Sequence, residues 1–153
     1  MKIEGIDRVV IGVKDLDRAI EFFSKLFEVD FVEMTGPAAE AGGVRFAVNL
    51  DKHIELISPV YPLKDVNPPN PMKLAKLLEQ QGDAALFALA FKVEDAAEAA
   101  ADLERKGIGI ITTLELEQAE PFTKSKFTEV FAKDEDTLGI GMAFCEYEPM
   151  KKE

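Results

Sequence analysis

The sequence predicts an α+β fold built from two tandem βαβββ modules. Two observations carry this prediction, a repeat at a fixed offset of 80 residues and the same order of strands and helix in each half. Arg8–Asp15 aligns without a gap on Ala88–Asp95. In both segments a short apolar strand leads to an Asp that is able to cap a helix. Because one such module cannot bury its apolar sheet face alone, we expect a single domain over residues 1–153.

A helix follows each of the two aligned strands. The first is predicted over about Leu16–Phe27, where apolar residues recur at spacings that share one helical face. The second is predicted over about Ala96–Lys106, an alanine-rich segment that ends at Gly107.

Three strand-like runs follow each helix, with Gly, Pro, Asp or Asn between most of them. They are about Val29–Met34, Val44–Leu50 and His53–Val60 in the first half, and Ile108–Leu116, Phe127–Ala132 and Ile140–Tyr147 in the second. Five of the eight prolines lie in Ser58–Pro71, which predicts an irregular connection, followed by a short helix over Met72–Gln81. The predicted boundaries are about 3–60 for module one, 61–83 for the connection and 84–148 for module two.

Charge and composition exclude several classes of function. The formal net charge of −11 repels phosphate backbones, so no nucleic-acid partner is expected. No apolar run approaches the ~20 residues that span a bilayer, so no membrane partner is expected. The single cysteine, Cys145, excludes an internal disulfide and favours a cytoplasmic location. His53 is the only histidine, so a histidine-rich metal site within one chain is excluded.

Four segments resemble the vicinal oxygen chelate superfamily, which includes glyoxalases, bleomycin-resistance proteins and dioxygenases. Ile6–Leu16 is similar to the opening strand of glyoxalase I and methylmalonyl-CoA epimerase, and Ile54–Leu56 to a strand that ends in a metal-binding Glu or Gln. Pro71–Gly82 and Phe87–Asp95 resemble the epimerases' inter-module helix and second opening strand. The resemblance covers about Ile3–Glu148 and implies an eight-stranded half-barrel that carries four inward-facing metal ligands.

At the four ligand positions implied by the resemblance this chain has Arg8, Glu55, Ala88 and Ala143. Only Glu55 fits the family pattern, so no metal and no other cofactor are expected. Arg8 has no lone pair to offer a metal. We interpret Arg8 and Glu55 as candidate catalytic residues, in which the guanidinium replaces the charge of the metal. The alternative is that the pair only neutralises a vacated pocket.

The remaining candidates are ligand-binding residues. Ala88, Ala143 and Cys145 carry small side chains predicted to line a cavity, unless phenylalanine side chains fill it. Cys145 is otherwise a small buried hydrophobe. His53 lies two residues before Glu55, which on a strand places both side chains on one face. Its alternative interpretation is a polar strand end without a role.

The predicted function is that of a small-molecule-binding protein without a tight metal site, similar to bleomycin-resistance proteins. The alternative is an isomerase related to methylmalonyl-CoA epimerase, or a glyoxalase-like carbon–sulfur lyase, in which Arg8 replaces the metal charge. A third possibility is a structural or partner-binding module. The expected partners are a small molecule and a second copy of the chain, in a homodimer like those the family usually forms.

Overall fold

A computed structural model describes residues 1–117 and 125–149 of the chain. Its strands are β1 Ile3–Val13, β2 Val32–Met34, β3 Val44–Asn49, β4 Ile54–Pro59, β5 Ala84–Val93, β6 Ile110–Glu117, β7 Ser125–Ala132 and β8 Gly141–Pro149. Its α-helices are α1 Leu16–Phe27, α2 Pro37–Ala41, α3 Asn70–Gln81 and α4 Ala96–Arg105, and a 3-10 turn covers Asp134–Asp136. The α+β class and the twofold βαβββ order are therefore confirmed. No helix within the described ranges is long and apolar enough to cross a membrane.

The offset of 80 residues holds at the ends of the repeated elements. Strand β1 ends at Val13 and β5 at Val93, and helix α1 begins at Leu16 and α4 at Ala96. The two halves therefore repeat the same strand-to-helix transition at the predicted register.

Each transition uses an aspartate as the helix N-cap. The Asp15 carboxylate accepts a hydrogen bond from the backbone N–H of Arg18 at 3.0 Å. The Asp95 carboxylate accepts one from the N–H of Glu98 at 2.9 Å. Both caps satisfy an N–H that the first helical turn leaves without an intrahelical acceptor.

The described residues form two compact units. The N-terminal unit comprises Arg8–Phe87, and the C-terminal unit comprises Met1–Asp7 with the described residues from Ala88 onward. The first seven residues thus group with the second half of the sequence. A single domain over residues 1–153, with modules at about 3–60 and 84–148, stays a prediction.

In the N-terminal unit the strands hydrogen bond in the order β2-β3-β4-β1, with β1 parallel to β4 and the other pairs antiparallel. One face packs on α1 through a buried cluster of Val13, Leu16, Ala19, Ala47 and Leu56. The opposite face carries Arg8, Val10 and Gly12 of β1. A Cβ on Gly12 would lie 2.9 Å from Leu74 Cδ2 of α3, so the absent side chain lets α3 approach this face.

In the C-terminal unit the order is β5-β8-β7-β6, with β5 parallel to β8. Helix α4 covers one face through Ala96, Ala99 and Leu103, which pack with Val130 and Phe144. Because strand side chains alternate, Ala143 and Cys145 lie on the opposite face from Phe144. In each unit, therefore, one sheet face packs on a helix and the other carries the candidate site residues.

Two predicted strand starts are wrong for a local reason. Strand β2 begins at Val32 rather than Val29, because Glu28 adopts φ 55° and the N–H of Val29 closes the helix end on the carbonyl of Ser24. Strand β4 begins at Ile54 rather than His53. The backbone of His53 is left-handed, with φ 59°, and its N–H donates to the carbonyl of Leu50 in a turn.

The boundaries of the helices and of the connection differ less from their predicted positions. Helix α1 matches its predicted range, and α4 ends one residue early, at Arg105. Helix α3 begins at Asn70, two residues before its predicted start, and Val60–Pro69 is irregular as the prolines indicated. The short helix α2 was not predicted. It begins with Pro37, which suits the first position of a helix because its ring fixes φ near the helical value.

Candidate functional site

The site in the N-terminal unit is built on two neighbouring parallel strands. Val10 of β1 is in register with Glu55 of β4, and the N–H of Val9 donates to the carbonyl of His53 at 2.8 Å. Residues two apart on a strand share a face. Arg8 therefore lies on the same face as Val10 and Glu55, one step before Val10 along that face.

Arg8 and Glu55 form a buried ion pair. Arg8 Nη1 lies 3.1 Å from Glu55 Oε1, and the two side chains are 5% and 10% exposed. Removing two charges from water is costly, and an opposite charge at hydrogen-bond distance offsets much of that cost. The guanidinium thus neutralises a carboxylate whose side chain is only 10% exposed.

The other predicted ligand-binding residues occupy different places. His53 is exposed in the turn before β4, so its side chain does not belong to the strand face that carries Glu55. This corrects the expectation that the two residues share a face. Ala88 is in register with Gly141, and Ala90 with Ala143. These four small residues lie next to one another on one face of β5 and β8 in the C-terminal unit.

Cys145 is completely buried, and its thiol is hydrogen-bonded to an acidic side chain. Its Sγ lies 3.0 Å from Glu129 Oε2, and Glu129 is itself only 8% exposed. The two residues are in register between β7 and β8. The thiol is therefore a hydrogen-bonding member of a buried polar pair, in addition to being a small core residue.

The sequence did not identify three further polar residues in the C-terminal unit: Glu129 and Asp7, which are buried, and Tyr147, which is half-buried. The Tyr147 hydroxyl donates to Asp7 Oδ2 at 2.8 Å, and Asp7 is 8% exposed. A signal for Glu129 was present, since alternation within β7 places it on one face with Phe127 and Phe131. No local pattern indicated the bond between Asp7 and Tyr147, which are 140 residues apart.

A cavity of about 340 Å³ opens elsewhere in the N-terminal unit, between β2, α2, the start of β3 and the connection after β4. Its wall includes the apolar side chains of Met34, Val44 and Val60. Charged groups at its rim include Glu40 and Lys64. None of the residues predicted from the sequence as site residues lines it.

The family assignment rests on residues 5–136, which match the model of the Glyoxalase/Bleomycin resistance protein/Dioxygenase superfamily. This range covers both βαβββ modules except the first two residues of β1 and the last strand, β8. The chain belongs to this superfamily. No curated protein matches the chain in sequence.

Several solved structures share the fold of this chain. Methylmalonyl-CoA epimerase from Mycobacterium tuberculosis has a TM-score of 0.70 and 24% identity, over 96% of this chain and 90% of the epimerase. A variant of Streptomyces coelicolor methylmalonyl-CoA epimerase in complex with 2-nitronate-propionyl-CoA has a TM-score of 0.71 and 20% identity, over 95% and 98%. A hypothetical protein from Bacillus halodurans has a TM-score of 0.67 and 19% identity, over 97% of both chains. At these identities the likeness shows the fold alone.

The residues of this chain do not fit the metal ion that the superfamily resemblance implies. Of the implied ligand positions, Arg8 has no lone pair, and Ala88 and Ala143 have no donor atom. The Glu55 carboxylate is engaged by the Arg8 guanidinium. Within residues 1–117 and 125–149, no three His, Cys, Asp or Glu side chains are grouped so that they could hold a metal ion.

Proposed function

We propose that this superfamily member binds a small molecule without a metal ion, and that the Arg8–Glu55 ion pair takes the place of the metal charge. The observation that carries the proposal is the 3.1 Å contact between Arg8 Nη1 and Glu55 Oε1, with both side chains buried. A guanidinium presents a fixed array of donors, which suits an oxygen-bearing ligand such as a carboxylate or a carbonyl compound. Ala88, Ala143, Cys145 and His53 remain proposed ligand-binding residues.

The first test measures metal content and ligand binding separately. Protein dialysed without chelator is analysed for zinc, nickel, cobalt, iron and manganese, and we expect far less than one ion per chain. Thermal shift is then measured with a panel of small carboxylates and carbonyl compounds on the wild type and on Arg8→Lys. Lysine keeps the charge but loses the planar fork, so hits that depend on Arg8 should shift the melting temperature of the wild type only.

Two outcomes oppose the proposal. One stoichiometric ion per chain would contradict the metal-free state. Ligands that bind the wild type and Arg8→Lys equally would contradict the role of Arg8, since the guanidinium geometry would then be irrelevant to recognition. Arg18→Lys is a matched control, because Arg18 is 77% exposed and lies 3.9 Å from Asp83.

A second candidate is an isomerase or lyase in which Arg8 stabilises negative charge that develops on a substrate carbonyl. The likeness in fold to methylmalonyl-CoA epimerases favours testing it. The assay is exchange of the C2 proton of methylmalonyl-CoA with deuterium, followed by proton NMR. Exchange that is lost in Arg8→Ala would support this candidate, and no exchange above the buffer rate would exclude it for this substrate. The net charge of −11 disfavours a polyanionic thioester.

We further propose a cytoplasmic homodimer. The single buried cysteine suits a reducing compartment. In the described residues β6, at one end of the strand order, pairs only with β7, which leaves an eight-residue edge for a second copy. Light scattering after size-exclusion chromatography should give about twice the chain mass. A monomer at concentrations of tens of micromolar would refute this part of the proposal.

A further inference from the structure

The cavity beside α2 is a preformed space in the N-terminal unit. Its volume of about 340 Å³ lies in the range of small-ligand pockets. Gly43 has φ +67°, and a Cβ there would lie 2.9 Å from Pro71 Cγ. The N–H of Val60 donates to the carbonyl of Gly43 at 3.0 Å. The hydrogen bond restrains the backbone that borders the cavity, and the absent side chain of Gly43 lets Pro71 approach it closely.

The cavity is separate from the Arg8–Glu55 pair. Val44, on its wall, is the first residue of β3, whereas Val48 is the residue of β3 in register with Glu55. Four residues of strand correspond to about 13 Å. A ligand in this cavity is therefore bound by different side chains from a ligand at the ion pair.

Arg45, which lines the cavity, forms ion pairs with two carboxylates. The guanidinium of Arg45 is shared between Glu33, at 2.9 Å, and Asp17, also at 2.9 Å. It holds the pKa of the Asp17 carboxyl below its ordinary value through a hydrogen bond and its charge. Arg45 is thus already compensated by two carboxylates, and the group of three carries a net negative charge.

The other two charged residues that line the cavity, Lys64 and Glu40, differ in the hydrogen bonds that their side chains make. Lys64 Nζ donates to the backbone carbonyl of Glu40 at 2.9 Å. Within the described ranges the exposed carboxylate of Glu40 makes neither a hydrogen bond nor an ion pair. The charged residues that line the cavity are two acids, Glu33 and Glu40, and two bases, Arg45 and Lys64, and the carboxylate of Glu40 is open to a ligand.

We propose that this cavity is a second ligand site, which takes a small apolar molecule with one positive charge, such as an aromatic or alkyl amine. The apolar part packs on Met34 (6% exposed), Val44 (8% exposed) and Val60, and the ammonium pairs with Glu40. The overall charge of −11 favours a cation over an anion, whereas Lys64 opposes the cation locally.

The probe is benzylamine, with benzyl alcohol and benzoate as matched neutral and anionic analogues. Each is titrated at pH 7 into 15N-labelled protein, and the amide signals of Gly36, Gly43 and Val60 report on the cavity. We expect benzylamine to bind with a dissociation constant on the order of millimolar, as for a small fragment. Benzyl alcohol and benzoate should bind at least about tenfold more weakly, which corresponds to 1.4 kcal/mol.

Four variants decide which groups hold the amine. Glu40→Gln should weaken benzylamine binding about fivefold or more, whereas Glu79→Gln removes the same charge from the exposed face of α3 and should leave it unchanged. Ala39→Phe should abolish binding by filling the cavity. Arg8→Lys should also leave it unchanged, so the result is independent of the function proposed for Arg8.

The proposal is overturned by any of three results. Benzylamine that perturbs no cavity amide up to tens of millimolar shows that the cavity is not a site. Benzoate binding as well as benzylamine shows that the charge selectivity is absent. Equal effects of Glu40→Gln and Glu79→Gln show that only the overall field acts on the ligand.

Discussion

The guanidinium of Arg8 lies 3.1 Å from the carboxylate of Glu55, across two parallel strands whose register places both side chains on one sheet face. Glu55 is the position at which the superfamily resemblance implies a retained metal ligand, and Arg8 is the position at which it implies a histidine. Because both side chains are almost completely buried, each charge offsets part of the cost of burying the other.

Arg8→Ala should lower the free energy of unfolding by about 3 kcal/mol, because it removes the buried guanidinium that lies 3.1 Å from the Glu55 carboxylate. Urea denaturation at pH 7 measures the change. Arg18→Ala is the control, since Arg18 and Asp83 are both 77% exposed. Its effect should stay within about 0.5 kcal/mol.

The double variant Arg8→Met with Glu55→Leu should recover most of the stability lost in Arg8→Ala, since two apolar side chains remove both buried charges at once. If Arg8→Ala costs no more than Arg18→Ala, the ion pair makes no net contribution to folding. The assignment of Arg8 as a replacement for the metal charge would then lose its physical basis.

Removal of metal should leave the stability of the chain unchanged. A bound ion that contributes to folding raises the melting temperature, and a chelator then lowers it. We expect the same melting temperature, within about 1 °C, with and without EDTA. A fall of several degrees on adding EDTA, restored by one divalent ion, would show that other donors of this chain hold a metal.

Local patterns predicted the repeated elements well. Helix α1 was predicted at its observed bounds because Asp15 caps its start and its apolar residues share one face. The ends of β1 and β5 followed from the offset repeat. The strand assigned to begin at His53 was wrong by one residue, because a left-handed backbone at a histidine has no clear signal in a β-rich segment.

Contacts between distant segments were predictable only where the resemblance supplied them. It placed Arg8 and Glu55 on neighbouring strands, although they are 47 residues apart. The pairs Cys145–Glu129 and Tyr147–Asp7 depend on strand register and on residues 1–7 grouping with the C-terminal unit, and neither is encoded locally. The cavity beside α2 was missed for the same reason, since an unpredicted helix forms part of its wall.

The two N-caps should contribute equally and independently. Asp15→Ala and Asp95→Ala should each cost about 1 kcal/mol of unfolding free energy, because each removes the acceptor for an N–H in the first helical turn. The double variant should cost about the sum, since the caps share no partner. Asp65→Ala, in the exposed connection, is the control and should be almost neutral. Unequal losses would show that the two halves differ in how much they depend on the repeated motif.

Stability should fall in acid partly through Asp102. Its carboxylate accepts hydrogen bonds from Lys106 Nζ at 2.7 Å and from the Met1 ammonium at 3.1 Å, and these two cations hold the pKa of Asp102 well below its ordinary value. A carboxyl whose pKa is depressed by folding stabilises the protein above its unfolded pKa of about 4 and loses that contribution as the pH falls.

Asp102→Asn should therefore lower the melting temperature at pH 7 but flatten its dependence on pH below about 4. The control is Glu104→Gln, an exposed neighbour on the same helix. Melting curves between pH 2.5 and 7 compare the three proteins. If the melting temperatures of the wild type and Asp102→Asn fall in parallel as the pH is lowered, protonation of Asp102 does not contribute to the loss of stability in acid.

Cys145 should behave as a hydrogen-bond donor and as an inaccessible thiol. It is 0% exposed, so labelling by an aromatic disulfide reagent should require an opening of the structure and should accelerate with urea. Cys145→Ser keeps a donor for Glu129, whereas Cys145→Ala removes it at nearly the same size. Serine should therefore be the more stable variant by about 1 kcal/mol, because alanine leaves the buried Glu129 with one donor fewer. Apolar core positions show the opposite order, since a hydroxyl is costly to bury there. Greater stability of Cys145→Ala would mean that the thiol only fills space and that its contact with Glu129 contributes nothing to folding.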